Sequence, residues 1–90
     1  MLIEIANLNV NWIEADVRRL FLPFGEVGLV HLFRDGRNNR SFGKAHVEMP
    51  VEKQARQALA TLQGKILVGK TIHLSELPSA RDESRLEGTI

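Results

Sequence analysis

Four cations, Arg34, Arg37, Arg40 and Lys44, fall within eleven positions of a 90-residue chain whose net charge is only +1. Guanidinium and ammonium groups gathered this way suit a polyanion, and arginine can pair with phosphate oxygens through a planar fork. A solvated loop kept soluble by its arginines is the competing reading of the same run. Lys44 also belongs to an alternating stretch. Gly43, Ala45, Val47 and Met49 fall on one side of it, and Phe42, Lys44, His46 and Glu48 on the other. Strict alternation argues for a half-buried strand. Its small, apolar side lets a helix pack closely; its polar side offers a cation, an imidazole and a carboxylate to water or to a partner. His31 and His73 occupy outward positions in strands of their own. An imidazole presents a flat ring for stacking and, when protonated, a charge for phosphate.

The elements that must position these groups follow from periodicity. Residues 2–6 read as a strand, with Ile3 and Ile5 inward and Leu2, Glu4 and Ala6 outward, broken by Asn7-Leu8-Asn9. Asn11 suits a helix N-cap, with Glu14 completing a capping box. Ile13, Val17, Leu20, Phe21 and Phe24 then form one apolar stripe, with Arg18 and Arg19 as solvated charge opposite, and Pro23 stops the helix. Trp12 is expected to be a partly exposed packing residue. Residues 27–34 form a second strand, with Val30 and Leu32 inward and Leu29, His31 and Phe33 outward. Asp35-Gly36 is a hairpin signal, and residues 37–41 lengthen it into a mobile loop. After the alternating strand, Pro50 suits a first helical turn; Val51, Ala55, Ala58, Leu59 and Leu62 make the stripe, and Gly64 fits the C′ position. Residues 66–68 form a very short edge strand before a Gly69-Lys70 turn, and residues 71–76 the last strand, with Ile72 and Leu74 inward. The order strand, helix, strand, strand, helix, strand closes as an α+β ferredoxin-like sandwich. Four antiparallel strands carry both helices on one face and leave the other open.

Ninety residues, 43% hydrophobic and 26% charged, make one ordinary globular domain. There is no cysteine, which removes disulfides and thiolate metal sites. Neither a signal peptide nor an apolar run of membrane-spanning length is visible, so a cytoplasmic location without membrane contact is expected. From Leu77 the periodicity ends: residues 1–77 are the domain and residues 78–90 a polar tail, expected to be disordered.

With these elements in place, the chain resembles the RNA recognition motif family over residues 2 to about 77. Residues 3–8, Ile-Glu-Ile-Ala-Asn-Leu, are similar to the hexamer of the family's first strand. Residues 14–27 are similar to its first helix and following turn, and residues 42–49 occupy the place of its third-strand octamer. Ala55, Ala58, Leu59, Leu62, Gly64 and the run Gly69-Lys70-Thr71-Ile72 match the closing half. The resemblance implies a single-stranded RNA binder whose central strands carry two or three stacking aromatics. Here those slots hold Glu4, Lys44 and His46, and Phe42 stands in the octamer's basic first position. Each lost platform forgoes roughly 1–3 kcal/mol of stacking, and a carboxylate at Glu4 repels phosphate.

The function expected is therefore non-catalytic, weak binding of single-stranded RNA, or of single-stranded DNA, with low sequence specificity. Its residues are Arg34, Arg37 and Arg40 in the loop, Lys44, His46 and Glu4 at the sheet centre, Phe33 and Phe42 as displaced platforms, and His31 and His73. The alternative is a protein-interaction or homodimerisation module on the same face, built on Leu2, Leu29, Phe33 and Phe42. No nucleophile stands beside a base and no glycine-rich phosphate loop is present, so an enzyme is not expected. A His31–His46–Glu4 metal site is conceivable on neighbouring strands. The histidines read rather as ordinary polar groups on a wet surface, and neither a metal nor a cofactor is expected.

Overall fold

The structure, a computed structural model, describes residues 1–78. The elements are β1 (Leu2–Ala6), α1 (Glu14–Phe21), a 3-10 turn (Leu22–Phe24), β2 (Val30–Arg34), β3 (Ser41–Glu48), α2 (Glu52–Leu62), β4 (Ile66–Leu67), β5 (Lys70–Thr71) and β6 (His73–Leu77). Four strands form one antiparallel sheet in the order β2-β3-β1-β6, and β4 and β5 make a separate small hairpin. Ile3, Ile5, Leu32, Ala45, Val47 and Leu74 point from the sheet into the core, where Val17 and Phe21 of α1 and Ala55, Ala58 and Leu62 of α2 cover them. The other sheet face is open. This is the ferredoxin-like α+β sandwich that the order of elements predicts, and its last strand ends at Leu77. The expected tail beyond Pro78 lies outside the described residues.

Local chemistry explains the boundaries, including those that differ from expectation. Asn7 leaves β1 with φ 64°, a left-handed conformation that asparagine tolerates, and its amide donates to the Thr71 carbonyl at 2.8 Å. Asn11 does not cap α1. Asn9 builds a turn of its own, its side chain accepting from the Asn11 N–H at 2.8 Å and its carbonyl from the Trp12 N–H at 3.0 Å. The helix therefore starts later, at Glu14, and Asp16 rather than Glu14 reaches back, to the Ile13 N–H at 2.9 Å. Ile13 thereby falls outside the apolar stripe and is exposed. Trp12 packs part-buried against the core. Arg18 is more than solvated charge, because it donates to the carbonyls of Val27 and Gly28 at 3.1 and 2.7 Å. That brace accompanies the later start of β2, at Val30 instead of residue 27.

Pro50 stands ahead of α2, not in its first turn. Met49 is still tied to Met1 at the end of the central β1–β3 ladder, its N–H donating to the Met1 carbonyl at 2.9 Å, so the helix waits until Glu52. Val51 is consequently exposed. Gly64, with φ 76°, takes the C′ position as expected. The next turn falls on Val68 and Gly69, φ 50° and 77°, one residue earlier than predicted. Pairing of Ile66 with Thr71 and Leu67 with Lys70 draws Thr71 into the hairpin, which leaves His73 to begin the last strand. Gln63 then brackets Leu74, accepting from its N–H at 2.9 Å and donating to its carbonyl.

Candidate functional site

Strand register decides which outward side chains meet. β3 lies between β1 and β2, with Glu4 opposite His46 and His46 opposite His31. Glu4, His46 and His31 therefore form a row across the open face. Between Leu32 and Arg34 the pairing on β3 jumps from Ala45 to Ser41, a bulge that leaves Phe33 without a direct cross-strand partner. Its ring settles among its neighbours instead. His31 meets it edge-on at 4.6 Å between centroids and His46 at 4.7 Å, while Lys44 Nζ stands 5.6 Å from the ring centre.

The bulge depends on Gly43. This residue has φ 72°, and its carbonyl accepts from the Leu8 N–H at 2.8 Å. A Cβ at Gly43 would come within 2.7 Å of the Leu8 carbonyl oxygen. Only glycine meets both demands without strain.

Glu4 sits half-buried at the centre, held by two cross-strand donors. His46 Nε2 lies 3.1 Å and Lys44 Nζ 3.3 Å from the same oxygen, Oε1. The hydrogen bond from His46, followed by that from Lys44, lowers the carboxyl below its ordinary value. The carboxylate that would repel phosphate is thus paired in place. Three chemically different groups, an anion, a cation and an imidazole, occupy the positions where the resemblance implies stacking rings, and Phe33 provides a ring beside them.

The loop arginines separate into two kinds. Arg34 points to the helix side and grips Glu14, its Nη1 at 2.5 Å from Oε2 and its Nη2 at 2.9 Å from Oε1. This fork holds the Glu14 carboxyl down at about 2. Arg34 is engaged in joining β2 to α1, and its fork does not face the open sheet. Arg37 and Arg40 extend from the loop. Arg37 is 91% exposed at its side chain and lays its fork on Asp35, Nε and Nη2 each donating at 3.4 Å to Oδ1 and Oδ2, a solvent-exposed pair. The loop itself is closed by hydrogen bonds from the Asp35 N–H to Arg40 O at 2.8 Å and from the Asn39 N–H to Asp35 O at 2.7 Å.

Phe42 is 64% exposed, beside the loop. His73 is exposed on β6 opposite Ala6, separated from β3 by β1, so the three histidines do not form one cluster. Among the described residues no group of three His, Asp or Glu side chains is placed to hold a metal ion. The Glu4–His46 pair takes Lys44 as its third member, and a lysine ammonium excludes a cation from that place. A shallow groove runs between residues 10–13 and the loop, lined by Val10, Trp12, Ile13, Asn39 and Arg40. The sequence reading missed Val10 and Ile13 there, because Ile13 shares the helical periodicity and Val10 follows a turn.

Comparison with known proteins agrees with this geometry. The RNA recognition motif family matches residues 3–73. The putative RNA-binding protein RbpD of Nostoc sp. is 32% identical over 85 residues, which cover 94% of this chain and 90% of that protein. Multiple RNA-binding domain-containing protein 1 of Saccharomyces cerevisiae is 38% identical over 71 residues, 79% of this chain but only 8% of the yeast protein's length. Among solved structures, RNA-binding protein PG1 superposes with a TM-score of 0.81 at 30% identity, over 88% of this chain and 99% of that one. The RNA15 RRM superposes with a TM-score of 0.83 over 91% and 94%, at 17% identity that speaks for the fold alone. With its sheet order, its open face and a family match over most of its length, the chain belongs to the RNA recognition motif family.

Proposed function

We propose that this domain binds single-stranded RNA, without catalysis, across the open face of its sheet and along the loop between β2 and β3. The observation that carries the reading is the placement of Phe33, a ring on the outer strand β2 that meets His46 and Lys44 of the central strand β3 as well as His31. A base stacking on that group places its phosphates near Lys44, Arg37 and Arg40. The names of the relatives, RNA-binding proteins in both cases, support the same reading. Glu4, Lys44 and His46 fill the usual aromatic slots, and Phe33 and His31 offer rings only beside them, so affinity is modest and mostly electrostatic, with sequence readout limited to few bases.

The protein-interaction alternative is less well supported. Leu29, 76% exposed, and Phe42 lie at opposite ends of the β2–β3 ladder. The Glu48 N–H donates to the Leu29 carbonyl, and Phe42 is six residues earlier on β3, roughly 20 Å away at strand spacing. In the interval Phe33 is surrounded by His31, His46 and Lys44, so Leu29 and Phe42 do not join it in a contiguous apolar patch. The test is titration of labelled single-stranded RNA at two salt concentrations, with the oligomeric state followed in parallel. Binding that weakens steeply with salt, by a monomer, is expected; no binding at low salt, or a salt-insensitive dimer, overturns the proposal.

A further inference from the structure

The two oxygens of Glu4 are not equivalent. Both donors that reach it, His46 Nε2 at 3.1 Å and Lys44 Nζ at 3.3 Å, approach Oε1. Among the described residues no donor reaches Oε2. The carboxylate lies in the half-exposed centre of the binding face, and the imidazole that holds it is the same one that packs at 4.7 Å against Phe33. Phe33, His46 and Glu4 therefore form a continuous run across β2, β3 and β1, with His46 in contact with both of the others. A base stacked on the His46 ring, beside Phe33, turns an edge toward an acceptor that is already oriented by two donors. Orientation in advance matters, because the ordering cost is met when the protein folds and not when RNA binds.

We infer that Glu4 is a specificity-determining residue, whose second oxygen, Oε2, selects bases carrying an exocyclic amino group and disfavours uracil. The inference rests on the RNA reading above. An ionised carboxylate only accepts hydrogen bonds. Its lowered protonation tendency, due first to His46 and then to Lys44, keeps it ionised at neutral pH. Adenine offers its N6 amine and cytosine its N4 amine, and guanine carries an amine and an adjacent ring N–H. Uracil offers one ring N–H between two carbonyls, and either carbonyl set against the carboxylate is repelled. A cation or a neutral aromatic ring in this slot would not make that distinction. The choice of a carboxylate, costly beside phosphates, is thereby given a use.

The experiment measures the affinity of the whole chain for short unstructured oligonucleotides of adenine, cytosine and uracil at one fixed salt concentration. Adenine and cytosine are expected to bind about tenfold more tightly than uracil, the size of one favourable base-edge contact. Replacing adenine by the purine base that lacks the 6-amino group should lose most of that advantage with the protein unchanged. Glu4→Gln presents an amide that both donates and accepts. It should raise the affinity of all three by relieving repulsion, and bring their ratio close to one. Equal binding of the three by the parent, or a ratio that survives Glu4→Gln, overturns this inference and leaves RNA binding standing. Failure of every oligonucleotide to bind overturns the RNA reading and this inference with it.

Discussion

The imidazole of His46 lies between two unlike partners, its ring 4.7 Å from that of Phe33 and nearly perpendicular to it, its Nε2 3.1 Å from Glu4. One histidine thus links the aromatic and the charged halves of the open face. Phe33 is only half-buried, and it packs against side chains of the face itself rather than the core. Phe33→Ala should therefore leave the thermal midpoint nearly unchanged while weakening RNA binding by the value of one stacked base, roughly 1–3 kcal/mol. Fluorescence anisotropy beside a melting curve checks both halves. Unchanged affinity would move the RNA off this face.

Arg37 and Arg40 are exposed in the loop, whereas Arg34 is held by Glu14. The double variant Arg37→Ala, Arg40→Ala should weaken unrelated RNA sequences about equally. Its salt slope should fall by about 1.4, two phosphate contacts at roughly 0.7 each for a single strand. Arg34→Ala should behave differently, lowering stability while keeping the slope. Titrations across a salt series distinguish them, and equal slopes in parent and double variant would refute the assignment.

The Glu14–Arg34 pair makes stability depend on acid. Folding depresses the Glu14 carboxyl from 4.5 to about 2, chiefly through the Arg34 hydrogen bonds. The folded value is the lower one, so the stabilisation is fully present above about 4.5 and is lost as pH falls from there toward 2. The Glu14 side chain is 44% exposed, and solvent screening limits the pair to about 1 kcal/mol. Urea unfolding of the parent and of Glu14→Gln should show that difference at pH 7, and the two curves should converge in strong acid.

Gly43 combines φ 72° with close approach to the Leu8 carbonyl. Gly43→Ala is expected to destabilise the fold by about 1–3 kcal/mol, through left-handed strain and through displacement of the chain that follows β1. The same substitution should disturb the bulge that presents Phe33, so RNA affinity should fall as well. Denaturant unfolding and RNA titration of the variant provide the check; a neutral result in both would show that the bulge does not depend on glycine.

Val68 holds φ 50° in an exposed two-residue turn, a conformation that a β-branched side chain adopts at a cost. Val68→Asn creates the Asn-Gly pair preferred where both turn residues have positive φ. An increase in stability of about 1 kcal/mol is expected in thermal or urea unfolding, with RNA binding unaffected.

The sandwich was legible in the sequence because each of its elements carries its own period. Ile3 and Ile5, or Ala45 and Val47, alternate as a strand must, and Val17 with Phe21 or Ala55 with Ala58 recur as a helix must. The outward placement of Glu4, Lys44 and His46 followed from the same count of two. What local pattern leaves open is which side chains meet across strands, and there the tertiary structure decided. Asn11 and Glu14 have the chemistry of a capping box, but Asn9 turns the chain first and the Glu14 carboxylate goes instead to Arg34, twenty residues away in sequence and its neighbour in space. Register placed His46 between Glu4 and His31 and set His73 apart, although alternation had put all three histidines outward alike. The bulge at Gly43 left Phe33 without a cross-strand partner and in contact with His46 and Lys44 of β3. Alternation fixes the side of a sheet on which a residue lies, but its neighbours there depend on strand order and on two extra residues in a ladder, and these are set by contacts between segments far apart in the chain.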